Sequence, residues 1–224
     1  MGTRRPLRQA PSNEWGPLPP HADRHGPRRM RGQLRWLERV LLVLGIASLG
    51  YYAYVSAEAT LYQAFEDREL DAILASGPPP RILPDRIPVS RAPAPGSAIG
   101  RIEIPRLGVS AIIRAGSDSR TLRLAVGYIP GTALPGQRGN TGLAAHRDTF
   151  FRRLRDIRAD DEIRIVTADA TFDYEVERTR IVQPTDVWVL NPTPQAALTL
   201  VTCYPFNYVG SAPQRFIVRA SLSR

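Results

Sequence analysis

A single cysteine dominates the chemistry that this sequence offers. Cys203 is the only cysteine among 224 residues, which excludes an intramolecular disulfide and any multi-cysteine metal site. It ends the apolar run ALTLVT and comes just before a proline-containing loop. Outside the cytoplasm a free thiol is exposed to oxidation, and chains usually avoid it unless the thiolate acts as a nucleophile. A buried, inert cysteine is the alternative.

One histidine is available to act with this thiol in a folded domain. His21 and His25 lie in an N-terminal tail, whereas His146 follows the apolar run GLAA and precedes the polar residues RDTF. Like Cys203, it is expected at the end of a strand, where a rigid scaffold presents side chains to a loop. An imidazole there favours the thiolate and exchanges protons during catalysis. A surface or structural histidine is the alternative.

An arginine is expected beside the same thiol. Arg215 lies twelve residues after Cys203 and begins the run RFIVRA, after a loop just long enough for a hairpin return. An antiparallel neighbouring strand would bring its guanidinium near the sulfur. Arg219 shares the same strand face by the period of two and is the rival candidate. For either arginine, a solvated surface charge is the alternative.

The segments that must position these residues are β-type. From residue 99 onward, short apolar runs alternate with Gly, Pro and Asp, which predicts strands. A short helix is expected at 118–125 or 149–154, and residues 127–140 and 190–195 are predicted loops. Many short strands with frequent turns favour a mainly β barrel or sandwich. The predicted strands are 99–104, 109–113, 141–145, 162–167, 171–182, 198–202 and 214–221.

The positive charge is concentrated ahead of an apolar segment. The net charge is +9, but residues 1–39 hold nine Arg against three acidic residues. Residues 40–57 carry no charge, and at about 1.5 Å per residue they nearly span a hydrocarbon core of about 30 Å. The positive-inside rule predicts a cytoplasmic N-terminus and an extracytoplasmic domain. This pattern argues against nucleic-acid binding; a cleavable signal peptide is the competing interpretation of the apolar segment.

Five segments are therefore predicted. The region before the folded domain has seven prolines between residues 77 and 98, which favours a semi-stiff spacer that holds the domain off the membrane. The segments are a disordered basic cytoplasmic tail (1–35), a transmembrane helix (36–57), an amphipathic helical extension (58–76), a Pro-rich linker (77–96) and a catalytic domain (97–224).

Three motifs in this order resemble those of sortases, and most closely those of the class D group. They are AAHRDTFF around His146, TLVTC ending at Cys203 and RFIVRA beginning at Arg215. The resemblance covers roughly residues 97–224 and implies a closed eight-stranded β-barrel with short helices. Ala145 stands where the family more often has Gly, and we expect its methyl group to be tolerated.

The resemblance also implies a reaction. Cys203 would attack the Thr carbonyl of a Leu-Pro-x-Thr-Gly-like sorting signal, His146 would protonate the leaving amine, and Arg215 would bind the carbonyl oxygen or the substrate backbone. An amine acceptor, cell-wall or pilin-like, would then resolve the thioester, so that exported proteins bearing C-terminal sorting signals become attached to the cell surface. No metal or cofactor is required.

Two nearby residues are expected to have secondary roles. Thr202 is expected to line the substrate site, and Asp148 to stabilise a turn or else to orient the imidazole.

Other protein classes remain as alternatives. An L,D-transpeptidase also places His before Cys, but usually has Gly directly before the Cys. Papain-like peptidases have the opposite order of Cys and His. A non-catalytic, membrane-tethered β module that binds a partner is the alternative from a different class.

Overall fold

The computed structural model describes residues 28–75 and 93–223. Most of the predicted basic tail and of the predicted Pro-rich linker therefore lie outside the described residues. The chain forms two compact units, Met1–Gly50 and Tyr51–Arg224. The second unit contains the barrel and carries all the candidate site residues.

Among the described residues, one long helix, α1 (Arg28–Leu74), precedes the barrel. The sequence contains no proline between residues 28 and 77, so nothing in its composition forces a break. The large apolar side chains between Leu34 and Phe65 are mostly exposed. Part of Leu34–Ala72 is long and apolar enough to cross a membrane, and the described chain has one such helix.

The barrel consists of eight strands that close on themselves in the order β1-β2-β3-β4-β7-β8-β6-β5. β2 pairs with β3 and β4 pairs with β7 in parallel, whereas the other neighbours are antiparallel. The predicted closed eight-stranded barrel with short helices is confirmed. The strands are β1 (Ala98–Ile104), β2 (Val109–Ala115), β3 (Val126–Tyr128), β4 (Gly139–Ala144), β5 (Glu162–Val166), β6 (Thr171–Val182), β7 (Ala196–Tyr204) and β8 (Gln214–Leu222).

Short helices complete the domain. The α-helix α2 (Ser119–Leu124) begins after Asp118, whose side chain accepts hydrogen bonds from the backbone N–H groups of Arg120 and Thr121, a typical N-cap. Short 3-10 helices lie at Pro105–Leu107, Arg152–Asp156 and Val187–Leu190. The last of these lies within the connection between β6 and β7, residues 183–195, which we call the β6–β7 loop.

The core determines which side chains of β7 and β8 face outward. Leu198 and Leu200 of β7 and Val218 and Ala220 of β8 are buried in the barrel interior. Because successive strand residues point to opposite faces, the odd-numbered positions of both strands face the outside of the barrel. Cys203 and its neighbours at every second position are thereby placed on the outer surface.

The end of α1 packs against the outside of β1 and β2, within the second unit. Arg101 of β1 donates hydrogen bonds to Asp67 and Asp71, both at 2.9 Å. The Gln63 side chain accepts from the backbone N–H of Ile112 and donates to the carbonyl of Leu124, both at 2.8 Å. The sequence suggested only a spacer between helix and domain and did not predict this contact.

Candidate active site

Cys203 and Arg215 lie directly opposite each other near the end of the β7–β8 pair. They are register partners in this antiparallel ladder, and the side chains of such partners leave the sheet on the same face about 4.5–5.5 Å apart at Cβ. Both residues are partly exposed. The hairpin return inferred from sequence thus brings this guanidinium to the thiol.

His146 reaches the same place from the neighbouring strand β4. Ala144 is the register partner of Val201 in the parallel β4–β7 pair, and the N–H of Ala145 donates to the Val201 carbonyl at 3.2 Å. His146 and Cys203 each follow two residues after that pair, so they occupy the same level at adjacent strand ends. The imidazole is exposed, as a group that must exchange protons with a substrate requires.

Thr202 lies beneath this site and does not open into it. It is 2% exposed, and its hydroxyl donates to the Ala145 carbonyl at 2.8 Å. The bond ties β7 to the residue just before His146 and fixes the two strand ends together. This geometry favours a supporting role over the substrate contact that the sequence suggested. Ala145 has no positive φ, so its methyl group is accommodated without backbone strain.

The two candidate arginines have different surroundings. Arg215 donates only to the backbone carbonyls of Gln214 and Ala212, at 3.0 and 3.3 Å, and no described carboxylate forms an ion pair with it. Arg219 pairs in register with Thr199, four residues before Cys203. Burial, and secondarily a nearby arginine, lower the pKa of Arg219. The geometry favours Arg215 as the partner of the thiol.

The residues directly after His146 form a turn. The His146 carbonyl accepts from the N–H groups of Thr149 and Phe151, which closes a turn. Asp148 is exposed, and among the described residues no hydrogen bond joins its carboxylate to the imidazole. This arrangement favours the turn over orientation of the imidazole as the role of this segment.

Arg147 is a positioning residue that the sequence did not reveal. It donates to the backbone carbonyls of Pro205, Tyr208 and Gly210, at 3.0, 2.6 and 3.1 Å. Its guanidinium also lies 5.8 Å from the centre of the Tyr208 ring. The connection between β7 and β8, residues 205–213, is thereby fastened to the residue next to His146. No sequence pattern marks such an arginine, because its partners are backbone atoms of an irregular loop.

Exposed apolar side chains flank the site. The large apolar residues of the described barrel that are exposed are confined to the end of β6, the β6–β7 loop and the β7–β8 loop. Grouped apolar exposure of this kind is typical of a surface that binds a polypeptide. The residues are Ile181, Val187, Trp188, Tyr208 and Val209.

Within residues 28–75 and 93–223, no three side chains of the His, Cys, Asp and Glu types converge to hold an ion. A closed barrel that ends a strand with a thiol, with an imidazole and a guanidinium on the two flanking strands, defines a cysteine enzyme of the acyl-transfer class.

Similarity to known proteins identifies the family within that class. Residues 102–223 match the sortase domain. Sortase D of Bacillus subtilis (strain 168) is 32% identical over 179 residues, which cover 78% of this chain and 90% of that protein. The chain belongs to the sortase family and is a cysteine transpeptidase of that family, as its motifs predicted.

Solved structures agree. The Sortase D5 transpeptidase of Clostridium perfringens has a TM-score of 0.58 at 25% identity, covering 75% of this chain and 99% of that one. The SrtA sortase from Actinomyces oris has a TM-score of 0.56 at 28% identity, covering 62% and 87% respectively. The similarity to the class D group is confirmed by sequence and is consistent with the first of these structures.

Proposed function

We propose that this sortase is a membrane-anchored transpeptidase that cleaves a Leu-Pro-x-Thr-Gly-like sorting signal after Thr and transfers the acyl group to an amine. Its targets would be exported proteins that carry such a signal at their C-terminus. The observation that carries the proposal is the direct pairing of Cys203 with Arg215 across β7 and β8, with His146 at the adjacent strand end.

The first half-reaction forms a thioester. The Cys203 thiolate attacks the Thr carbonyl carbon, the C–S bond forms, and the C–N bond to the following residue then breaks. His146 gives its proton to the leaving amine as a general acid. Arg215 donates hydrogen bonds to the carbonyl oxygen while that atom carries negative charge, which is where a fixed donor lowers the barrier most.

The second half-reaction makes a new peptide bond. An acceptor amine attacks the thioester carbonyl, the C–S bond breaks, and the proton lost by the amine goes to His146. The Cys203 thiolate is regenerated. The acceptor is a cell-wall or pilin-like amine. Neither step calls for a metal or a cofactor, since thiol, imidazole and guanidinium supply the nucleophile, the proton transfer and the charge stabilisation.

The loops around the site support an apolar peptide as the donor. Val187 and Trp188 on the β6–β7 loop and Tyr208 and Val209 on the β7–β8 loop are exposed, and they offer apolar surface to the Leu and Pro side chains of a signal. A peptide lying between these loops would present the Thr carbonyl to Cys203.

The location of the enzyme follows from the charge pattern and α1. Arginines precede the apolar stretch of α1 and acidic residues follow it, so the proposal places the N-terminus in the cytoplasm and the barrel outside. The protein would be a single-pass protein of the cell membrane.

The test uses the full-length protein in detergent micelles, because Gln63, Asp67 and Asp71 of α1 contact the barrel. It is incubated with a small library of Leu-Pro-x-Thr-x peptides and with hydroxylamine as the amine, and intact mass is followed for wild type and Cys203→Ala. We expect an acyl adduct on the wild type alone, cleavage after Thr, and capture of the acyl group by hydroxylamine.

Other outcomes would replace the proposal in defined ways. If Cys203 reacts readily with an alkylating agent but forms an adduct with no sorting-type peptide, the substrate class is wrong, and cell-wall stem peptides should be tried next. If Cys203 is inert in a folded sample, catalysis by this thiol is excluded and the binding-module alternative takes its place.

A further inference from the structure

A basic pocket lies on the outer face of β6 and β8, below the β6–β7 loop. Its volume is about 210 Å³, and three of its lining residues are arginines, namely Arg178, Arg180 and Arg219. Among the described residues that line it, none is acidic. Trp188 of the loop forms one wall, and Thr199 of β7 lies at its floor.

Two of the three arginines in this pocket, Arg180 and Arg219, form no ion pair with a described carboxylate, whereas Arg178 is paired with Glu177. Arg219 donates from Nη1 to the Thr199 hydroxyl at 2.6 Å, and no described carboxylate forms an ion pair with it. The Arg180 guanidinium lies 5.4 Å from the centre of the Trp188 ring. Arg178 reaches only Glu177, at 3.4 Å and on the exposed surface. Arg180 and Arg219 therefore keep hydrogen-bond donors for a ligand, and a carboxylate or phosphate is the group that a guanidinium fork binds best.

The pocket is aligned with the proposed catalytic pair. Thr199 and Arg219 are register partners, as are Cys203 and Arg215, and both pairs belong to the same β7–β8 ladder. Four residues separate the two pairs along each strand, which is about 13 Å at about 3.3 Å per residue. A polypeptide in extended conformation whose carbonyl is bound at Cys203 covers that distance in four to five residues.

The β6–β7 loop connects the two places. Its backbone is held over β4 by the Asn140 side chain, which donates to the carbonyls of Val189 and Asn191 at 3.0 and 3.3 Å. Val187 and Trp188 of the same loop offer the apolar surface assigned above to the Leu and Pro of the signal. Because Leu and Pro precede Thr, the retained acyl portion of the donor runs toward this loop and the pocket that it walls.

We propose that this pocket binds an acidic side chain of the donor polypeptide, one or two residues before the Leu of the sorting signal. The carboxylate accepts hydrogen bonds from Arg219 and Arg180. This inference rests on the proposed function, because it places the donor at Cys203. It adds a specificity element outside the five-residue signal.

The first experiment compares two peptides that differ at one position before the Leu. Full-length protein in micelles is given Glu-Leu-Pro-x-Thr-Gly or Gln-Leu-Pro-x-Thr-Gly peptides, extended by neutral residues at both ends, with hydroxylamine as acceptor. We expect a KM about tenfold lower for the Glu peptide with a similar kcat, as for a half-exposed charge-assisted contact. Moving the Glu one residue further from the Leu tests the second position.

Variants of the pocket test whether it causes the preference for Glu over Gln before the Leu. Arg219→Gln should reduce the Glu-to-Gln ratio of kcat/KM to near one, and Arg219→Lys should restore part of it. Arg120→Gln is the matched control, because Arg120 is an exposed residue of α2, and it should keep the full ratio. A ratio that stays at the wild-type value in Arg219→Gln, or a ratio near one in the wild type, would overturn the inference while the transpeptidase reaction itself stands.

A binding measurement separates failure of the pocket from failure of the proposed function. Trp188 fluorescence is titrated in the Cys203→Ala protein with an uncleavable Glu-Leu-Pro peptide, its Gln counterpart and inorganic phosphate. Trp188→Phe identifies the signal, because Trp15 and Trp36 are the other tryptophans. A saturable response to the Glu peptide alone supports the pocket even if no peptide is turned over. A response to phosphate without one to the Glu peptide makes the pocket an anion site of another kind and rejects a donor side chain as its ligand.

Discussion

Two sides of the barrel use arginine in opposite ways. On β1, the side chain of Arg101 is 13% exposed and forms ion pairs with Asp67 and Asp71 of α1. Its charge therefore serves to hold α1 against β1. At the start of β8, Arg215 has only backbone carbonyls as partners among the described residues. A guanidinium left without a carboxylate retains donors for a ligand, whereas one between two carboxylates fixes two elements together.

The same contrast applies to the other ionisable groups. His146 is exposed and Cys203 is partly exposed, and both lie at strand ends. Asp161, by contrast, is 6% exposed and paired with Arg106. Removing a group that has no ion-pair partner should therefore abolish activity and spare stability. Removing a group that is held in an ion pair should do the reverse.

The largest effect is expected for His146→Gln. Loss of the general acid should lower kcat for hydroxylamine capture by about 10²–10⁴-fold, with little change in the midpoint of chemical denaturation because the side chain is exposed. Single-turnover mass spectrometry checks which step fails. Normal acyl-enzyme formation in this variant would contradict the assigned role of proton donor.

The next largest loss of kcat is expected for Arg215→Ala. Removing one donor to a developing oxyanion costs about 2.7–4 kcal/mol, or about 10²–10³-fold in kcat. Arg215→Lys keeps the charge but loses the planar fork, so it should recover only part of the rate. Arg120→Ala, an exposed charge elsewhere on the barrel, is the control. If Arg215→Ala raises KM and leaves kcat intact, Arg215 holds the substrate backbone and does not stabilise the oxyanion.

These first two targets could be chosen from sequence alone, for identifiable reasons. Cys203 stood out because it is the only cysteine, and His146 because the other histidines lie in the tail. Hairpin geometry placed Arg215 near the thiol but left Arg219 as a rival, and the resemblance to sortases favoured Arg215. The strands of the barrel were predicted because short apolar runs alternate with Gly, Pro and Asp from residue 99 onward.

What the sequence did not reveal depends on contacts without a periodic signal. β3 (Val126–Tyr128) has three residues, all buried, so it shows no alternation and was assigned to a loop. The direction of Thr202 required the register of β7, which decides whether a side chain enters or leaves the barrel. Arg147 and Arg101 act on groups more than thirty residues away, and no local pattern specifies such partners.

A moderate effect on stability is expected for Arg101→Met. The variant keeps the aliphatic length of the side chain but leaves Asp67 and Asp71 without their cation. Because both carboxylates are partly solvated, at 37% and 63% exposure, we expect a loss of about 1–2 kcal/mol in the free energy of unfolding. Urea denaturation of the full-length protein measures it, with Arg120→Met as control.

The activity of Arg101→Met decides what the α1 contact is for. A kcat close to that of wild type would show that the contact serves structure alone. A kcat reduced as strongly as in Arg215→Ala, in a protein that remains folded, would break the distinction between arginines held in ion pairs and arginines that have no described ion-pair partner, and would connect α1 to the active site.

The smallest effect is confined to acidic pH and concerns Asp161. Its hydrogen bond from Arg106 lowers the pKa of this carboxyl below its usual value, and burial opposes that shift. A carboxyl whose folded pKa lies below its unfolded pKa contributes stability that is present above the unfolded value and is lost as pH falls through the folded one. Wild type should therefore exceed Arg106→Gln in denaturation midpoint by a constant margin between pH 5 and 7, and the margin should shrink below about pH 4. A margin that persists unchanged to pH 3 would mean that Arg106 stabilises the barrel through packing of its side chain rather than through the Asp161 carboxylate.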